Sequence, residues 1–132
     1  MFILYMRDIK FRAWNNKEKM MRGINLDLFP LKGRISSQVF CKEFEIILQF
    51  TGLKDKNDVD IYEGDICIVD IKVDGIWKSQ TGEICYEFGA FFVAGPQHMI
   101  YLFHVADISE GLEESEYLNV IGNIYENPEL LK

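Results

Sequence analysis

The sequence contains no run of apolar residues long enough to cross a bilayer as a helix, which takes about 20 residues, so no membrane contact is expected. It holds three cysteines, Cys41, Cys67 and Cys85, none close to another. That spacing excludes a C-x-x-C zinc or redox pattern and leaves free thiols in a reducing cytoplasm as the expectation. His98 and His104 are too far apart for one helical face and offer no ligand set, so no metal site is expected. A nucleophile elbow, a phosphate-cradling glycine loop and a metal-ligand helix motif are all missing. No catalytic residue and no cofactor are therefore expected, and the chain reads as something other than an enzyme. Positive charge is also short, with 14 Lys and Arg against 21 Asp and Glu. The short apolar lead Met1–Met6 has no basic segment before it and ends at Arg7, which argues against a secretion signal.

What is present points to strands. The chain has 132 residues, 48% of them hydrophobic and 14% aromatic, enough for one domain with a real core. The net charge of −7 is unevenly distributed. Residues 1–42 carry nine bases and three acids, whereas residues 43–132 carry five bases and eighteen acids. The expected organisation is a basic N-terminal β-hairpin region over 1–42 and a β-barrel domain over 43–132, or one continuous domain. The charge split fits a hairpin folded onto its own acidic body, or onto a neighbouring copy.

Ile9, Phe11 and Ala13 alternate with Lys10, Arg12 and Trp14, the period of a half-buried strand with the basic set outward. Asn15–Lys19 reads as a hairpin turn and Met20–Arg22 as the returning strand. Gly23–Arg34 has no regular pattern. Phe44, Ile46, Leu48 and Phe50 mark a core strand, and Cys67, Val69, Ile71 and Val73 mark one face of another over 66–73. Asp74-Gly75 is a tight-hairpin signal leading into Ile76–Lys78. Gly82 predicts a break before a strand over 83–88, and Gly89 a turn into Ala90–Ala94. After the break at Gly95-Pro96, strands are expected over 97–105 and 117–125, with an acidic loop or one exposed helical turn over 107–116 between them. Asn127-Pro128 predicts a short helical turn, with Asn as cap and Leu130 and Leu131 docking back. Short strands set off by Gly and Pro predict a mainly β fold, a small barrel or sandwich.

Thr51–Ile66 reads as a polar crossing between two core strands, bent at Gly52 and Gly64. Asp55, Asn57, Asp58 and Asp60 invite a calcium reading, but a loop begun at Asp55 places Val59, Asp60 and Ile66 where the fifth oxygen, glycine and glutamate belong. Turn chemistry explains the residues better: Gly64 supplies positive φ, Asp65 accepts backbone N–H groups, and Tyr62 lays its ring over the barrel end.

Three blocks carry a family resemblance: Ile9–Trp14, Thr51–Ile66 and Val120–Leu131. In this order they resemble the YopX family of phage and prophage proteins, over essentially the whole chain. The resemblance implies a β-rich part like a small, partly open Src-homology-3-like barrel, here with an N-terminal β-hairpin extension and a short C-terminal helical turn. It implies no catalytic or binding residues, because the family's function is uncharacterised.

The candidate interaction surface is Lys10, Arg12, Trp14, Lys17, Lys19, Arg22 and Tyr62. Two uses of it are expected to compete with a structural role. In one, the basic hairpin meets the acidic body of another copy, giving a homo-oligomeric accessory module in the host bacterial cytoplasm that also holds a phage or host protein. In the other, Lys10 and Arg12 neutralise phosphates while Trp14 stacks on a base. The acidic body opposes nucleic-acid binding, which is the less favoured of the two. The structural alternative is a hairpin whose Trp14 packs on the body and whose lysines are solvated.

Overall fold

Asn15 fixes the first hairpin by accepting the N–H groups of Lys17 (3.0 Å) and Glu18 (2.9 Å) on its side-chain oxygen, the turn-forming habit of asparagine. A computed structural model describes residues 8–24, 45–96, 99–102 and 117–132. Strands β1 (Phe11–Asn15) and β2 (Met20–Ile24) flank that turn, and β1 also pairs antiparallel with β3 (Glu45–Lys54). The short β4 (Asp60–Tyr62) completes a four-stranded sheet in the order β2-β1-β3-β4.

The second sheet is a meander. β5 (Asp65–Val73), β6 (Ile76–Glu87), β7 (Ala90–Ala94) and β8 (Met99–Tyr101) follow one another, and β9 (Leu118–Asn123) returns beside β5. The resulting order, β8-β7-β6-β5-β9, curls into a half-barrel. The chain is thus mainly β, with one 3-10 turn at Pro128–Leu131, as the partly open barrel predicted from the sequence requires. Asp74-Gly75 turns β5 into β6 with both residues at positive φ (51° and 78°), matching the right-handed strand twist.

The core lies against the meander. Ile61, Cys67, Val69, Ile84, Val93, Leu102, Tyr117 and Leu118 form one buried cluster. Each full-sized aliphatic there contributes about 1.5–3 kcal/mol by leaving water. Ile66 is as buried as Cys67, so β5 is covered on both faces at its start. Gly64 joins the two sheets: its N–H donates to the Ile84 carbonyl, and its carbonyl accepts from Ile124, both at 2.9 Å.

Several expectations need correction. Thr51–Ile66 is not a loop crossing. β3 runs through Thr51 to Lys54 with a register shift between Phe50 and Lys54, the turn is confined to 55–59, and β4 pairs back on β3. Polar composition hid a strand whose Gly52 sits in the irregularity (φ 90°) rather than ending it. Gly82 does not break β6 either. A Cβ there would lie 2.6 Å from the Ala94 carbonyl oxygen, so glycine permits the close approach of β7 within an unbroken strand. Asn127 makes no side-chain cap bond; its Oδ1 instead accepts the Asn123 N–H at 3.3 Å. Leu130 and Leu131 dock only partly and stay 37% and 42% exposed. Ile46 is also exposed, whereas Leu48 and Phe50 of the same strand are buried. The closing strand ends at Asn123, where Asn123 Oδ1 accepts from Tyr125 and Glu126 and turns the chain. Of the expected features, Met1–Met6, most of Gly23–Arg34, Cys41, Phe44, His98, His104 and the acidic 107–116 segment lie outside the described residues.

Candidate functional site

The predicted surface residues of β1 sit at the join between the two sheets. Lys10, Arg12 and Trp14 do share one face, but that face is turned toward the body. Lys10 Nζ lies 2.6 Å from the Asp60 carboxylate and 4.5 Å from the Phe50 ring centroid. Its hydrogen bond with Asp60 raises its pKa above the usual lysine value. Arg12 Nη2 donates to Asp65 Oδ1 at 2.5 Å, and its guanidinium lies 4.6 Å from the centre of the Tyr62 ring. Trp14 is 3% exposed and stacks on Tyr125 with centroids 5.5 Å apart.

The outward placement of this basic set is therefore corrected. An alternating strand does not declare which face is inner when both faces carry long amphipathic side chains. The packing of Trp14 follows the structural alternative. So does the exposure of Lys17 and Lys19, at the solvated turn, where Lys19 Nζ donates to Asn16 Oδ1 at 2.9 Å. Arg22 grips Glu45 through two bonds of 2.7 and 2.6 Å. Tyr62 is half-buried between Arg12 and Phe50, and burial raises its phenol pKa.

Asp65 is the centre of this join. Its Oδ2 accepts the Tyr62 N–H at 2.8 Å while Oδ1 takes Arg12, the backbone role expected for an aspartate opening a strand. Burial pushes its carboxyl above the usual range, against the pull of Arg12 and of that amide. Gly64 next to it has φ 80°, and a Cβ would come within 3.1 Å of the Tyr125 ring. Only glycine meets both conditions.

Asp55 is engaged in the same manner. Oδ1 accepts from Asn57 (2.8 Å) and Val59 (3.0 Å), and Oδ2 accepts from Val120 at 2.8 Å, which ties the 55–59 turn to β9. Among the described residues no cluster of three or more His, Cys, Asp or Glu is arranged to hold a metal ion. Cys67 and Cys85 are free thiols, and burial raises both pKa values, that of Cys85 to about 11. At neutral pH both are protonated, and a thiol is a poor nucleophile beside its thiolate.

The three sequence blocks thus meet in one place: β1, the Tyr62–Asp65 turn and the Tyr125 segment. The profile of the YopX protein family matches residues 10–132. The chain belongs to the YopX family. It is also similar to protein EF1440 from Enterococcus faecalis, known from a crystal structure. The two share 30% identity with a TM-score of 0.59, over 96% of this chain and 100% of that one. No curated protein matches.

Two surfaces of this YopX chain were not legible in its sequence. The first is the β6–β7 turn, where Phe88 is 93% exposed at φ 53°. Tyr86 stands beside it, 46% exposed, with its ring 4.8 Å from that of Phe91. The Phe-Gly pair at residues 88–89, an aromatic where Asn or Asp usually stands, was the available signal. The second is a groove of about 750 Å³ between β6 and the C-terminal turn, lined by Ile71, Lys78, Thr81, Pro96, Leu131 and Lys132 among others. It depends on where β7 stops, which composition does not reveal. No described helix is long and apolar enough to cross a membrane.

Proposed function

We propose that this chain is a phage or prophage accessory protein, a non-enzymatic β-rich interaction module that self-associates in the host cytoplasm. The observation that carries this reading is Phe88. An aromatic 93% exposed in the left-handed region costs about 1 kcal/mol in backbone strain and gains almost no burial among the described residues. Contact with another copy offsets both costs, because the ring enters an apolar environment only on association. The family resemblance supports the phage origin. The free, protonated thiols support a reducing compartment. The engagement of Asp55 and Asp65 with backbone amides supports a structural rather than a chemical use of the buried carboxylates.

This reading changes the expected force of association. Of the five described bases of residues 8–24, Lys10, Arg12 and Arg22 face acids of their own chain, while Lys17 and Lys19 are exposed. Association through Phe88 is apolar and therefore resistant to salt. Sedimentation velocity at low and high salt tests it. A strictly monomeric species in both, at concentrations up to hundreds of micromolar, would end the proposal.

A further inference from the structure

The tip of the β6–β7 hairpin and the groove lie at different heights of one strand. Phe88 follows the last residue of β6, with Tyr86 and Glu87 exposed beside it. Lys78 and Glu83 of β6 line the groove, together with Pro96 and with Leu130, Leu131 and Lys132 of the C-terminal turn. Glu83 is the β6 residue of the groove nearest the tip. Five residues along the chain, about 16 Å when extended, separate it from Phe88. A phenylalanine side chain is far shorter than that. The ring therefore cannot enter the groove of its own chain, and only another copy can bring the two together.

Shape and charge make the two surfaces complementary. Gly122 of β9 seats the C-terminal turn, since a Cβ there would lie 2.9 Å from Leu130 Cδ1, so that wall of the groove is set by close packing. The volume of about 750 Å³ falls within the roughly 300–1,000 Å³ of sites that enclose a compact guest. Pro96, Leu130 and Leu131 offer apolar contact, and Lys78 and Lys132 outnumber Glu83 among the charged lining residues. The tip carries the opposite sign: Tyr86–Ala90 contains Glu87 and no base. Two tips meeting directly would bring like charges together, whereas the groove answers Glu87 with lysine. We infer that the β6–β7 tip of one copy docks in the groove of a second copy, with Phe88 against Leu130 and Leu131 and Glu87 toward Lys78 and Lys132. The inference rests on the self-association through Phe88 proposed above and names the surface that receives the ring. Exposed charge pairs orient such a contact and add little strength. The ring supplies the affinity, and the contact keeps its resistance to salt.

Two full-length variants divide the contact. Phe88→Asn lacks the ring and keeps the groove. Leu131→Glu keeps the ring and places a carboxylate in the groove, at a position 42% exposed. Each alone should sediment as a monomer at concentrations where the parent associates. Their equimolar mixture should give a 1:1 dimer and nothing larger, because one intact tip and one intact groove remain between them. Nitrogen-15 labelled Phe88→Asn should show amide shifts at Lys78, Thr81 and Leu131 on addition of unlabelled Leu131→Glu. Unlabelled parent should produce the same shifts, a readout that does not depend on the folding of the groove variant. Association of Leu131→Glu equal to that of the parent, or amide shifts that miss the groove, would overturn the inference and leave the role of Phe88 standing. A mixture that stays monomeric would do the same. A parent that is itself monomeric would overturn both.

Discussion

Trp14 and Phe88 are both large aromatics beside a tight hairpin turn, and they have opposite fates. Trp14 is 3% exposed, stacked on Tyr125 where the N-terminal hairpin meets the barrel. Phe88 is 93% exposed at the tip of the β6–β7 hairpin. The same contrast holds for charge. Lys10 and Arg12 are matched by Asp60 and Asp65 at the join, whereas Lys78 and Lys132 stand at the rim of a groove. The difference teaches that the region bearing the family blocks is a clasp holding two sheets together. The exposed Phe88 and the groove lie along β6, away from it.

The largest effect should come from the clasp. Trp14→Ala should cost about 3–5 kcal/mol, the usual range for removing a buried tryptophan, measured by denaturant unfolding. A loss below about 1 kcal/mol, typical of a surface substitution, would mean Trp14 is not the packing centre its burial indicates. Arg12→Met comes next. It leaves the Asp65 carboxyl, 3% exposed, without its cation, and should cost about 3 kcal/mol. Arg12→Met with Asp65→Asn should recover part of that, because the asparagine oxygen can still accept from Tyr62 while no charge remains buried. A double variant no better than the single one would assign the loss to packing instead.

A smaller effect separates the buried Asp65 and half-buried Glu83 carboxyls from the exposed ones. Asp65 and Glu83 both have folded-state pKa values raised by burial. The folded state therefore holds these protons more tightly than the unfolded chain does. The stability they contribute is complete below the unfolded value, about 4.3 for a glutamate, and is lost as pH rises through the raised folded value. Thermal melts across that window should show Glu83→Gln declining less steeply than the parent. An identical slope in both would show that Glu83 is solvated like the acids of the turns.

How much of this could be read from residues alone follows from what each signal encodes. Asn15–Lys19 and Asp74-Gly75 announce their hairpins because turn geometry is a local property of those residues. Val69 and Cys67 mark a core face because they recur at every second position of an apolar run, the period of a strand with a buried face. Lys10, Arg12 and Trp14 show their periodicity but not its direction, since their partners Asp60, Asp65 and Tyr125 are distant in sequence. Gly82 misleads for the related reason that its necessity is set by Ala94 across the ladder. The groove is legible only once the end of β7 is known.

Phe88→Asn gives the smallest change in stability and the most direct test of the central claim. Asparagine tolerates the left-handed conformation that Phe88 holds at φ 53°, so the melting temperature should be unchanged or slightly higher. Sedimentation velocity of the parent should show association of equal extent at low and high salt, and Phe88→Asn should be monomeric in both. Association in the parent that vanishes with salt, or that survives unchanged in Phe88→Asn, would contradict the assignment of contact to the β6–β7 tip.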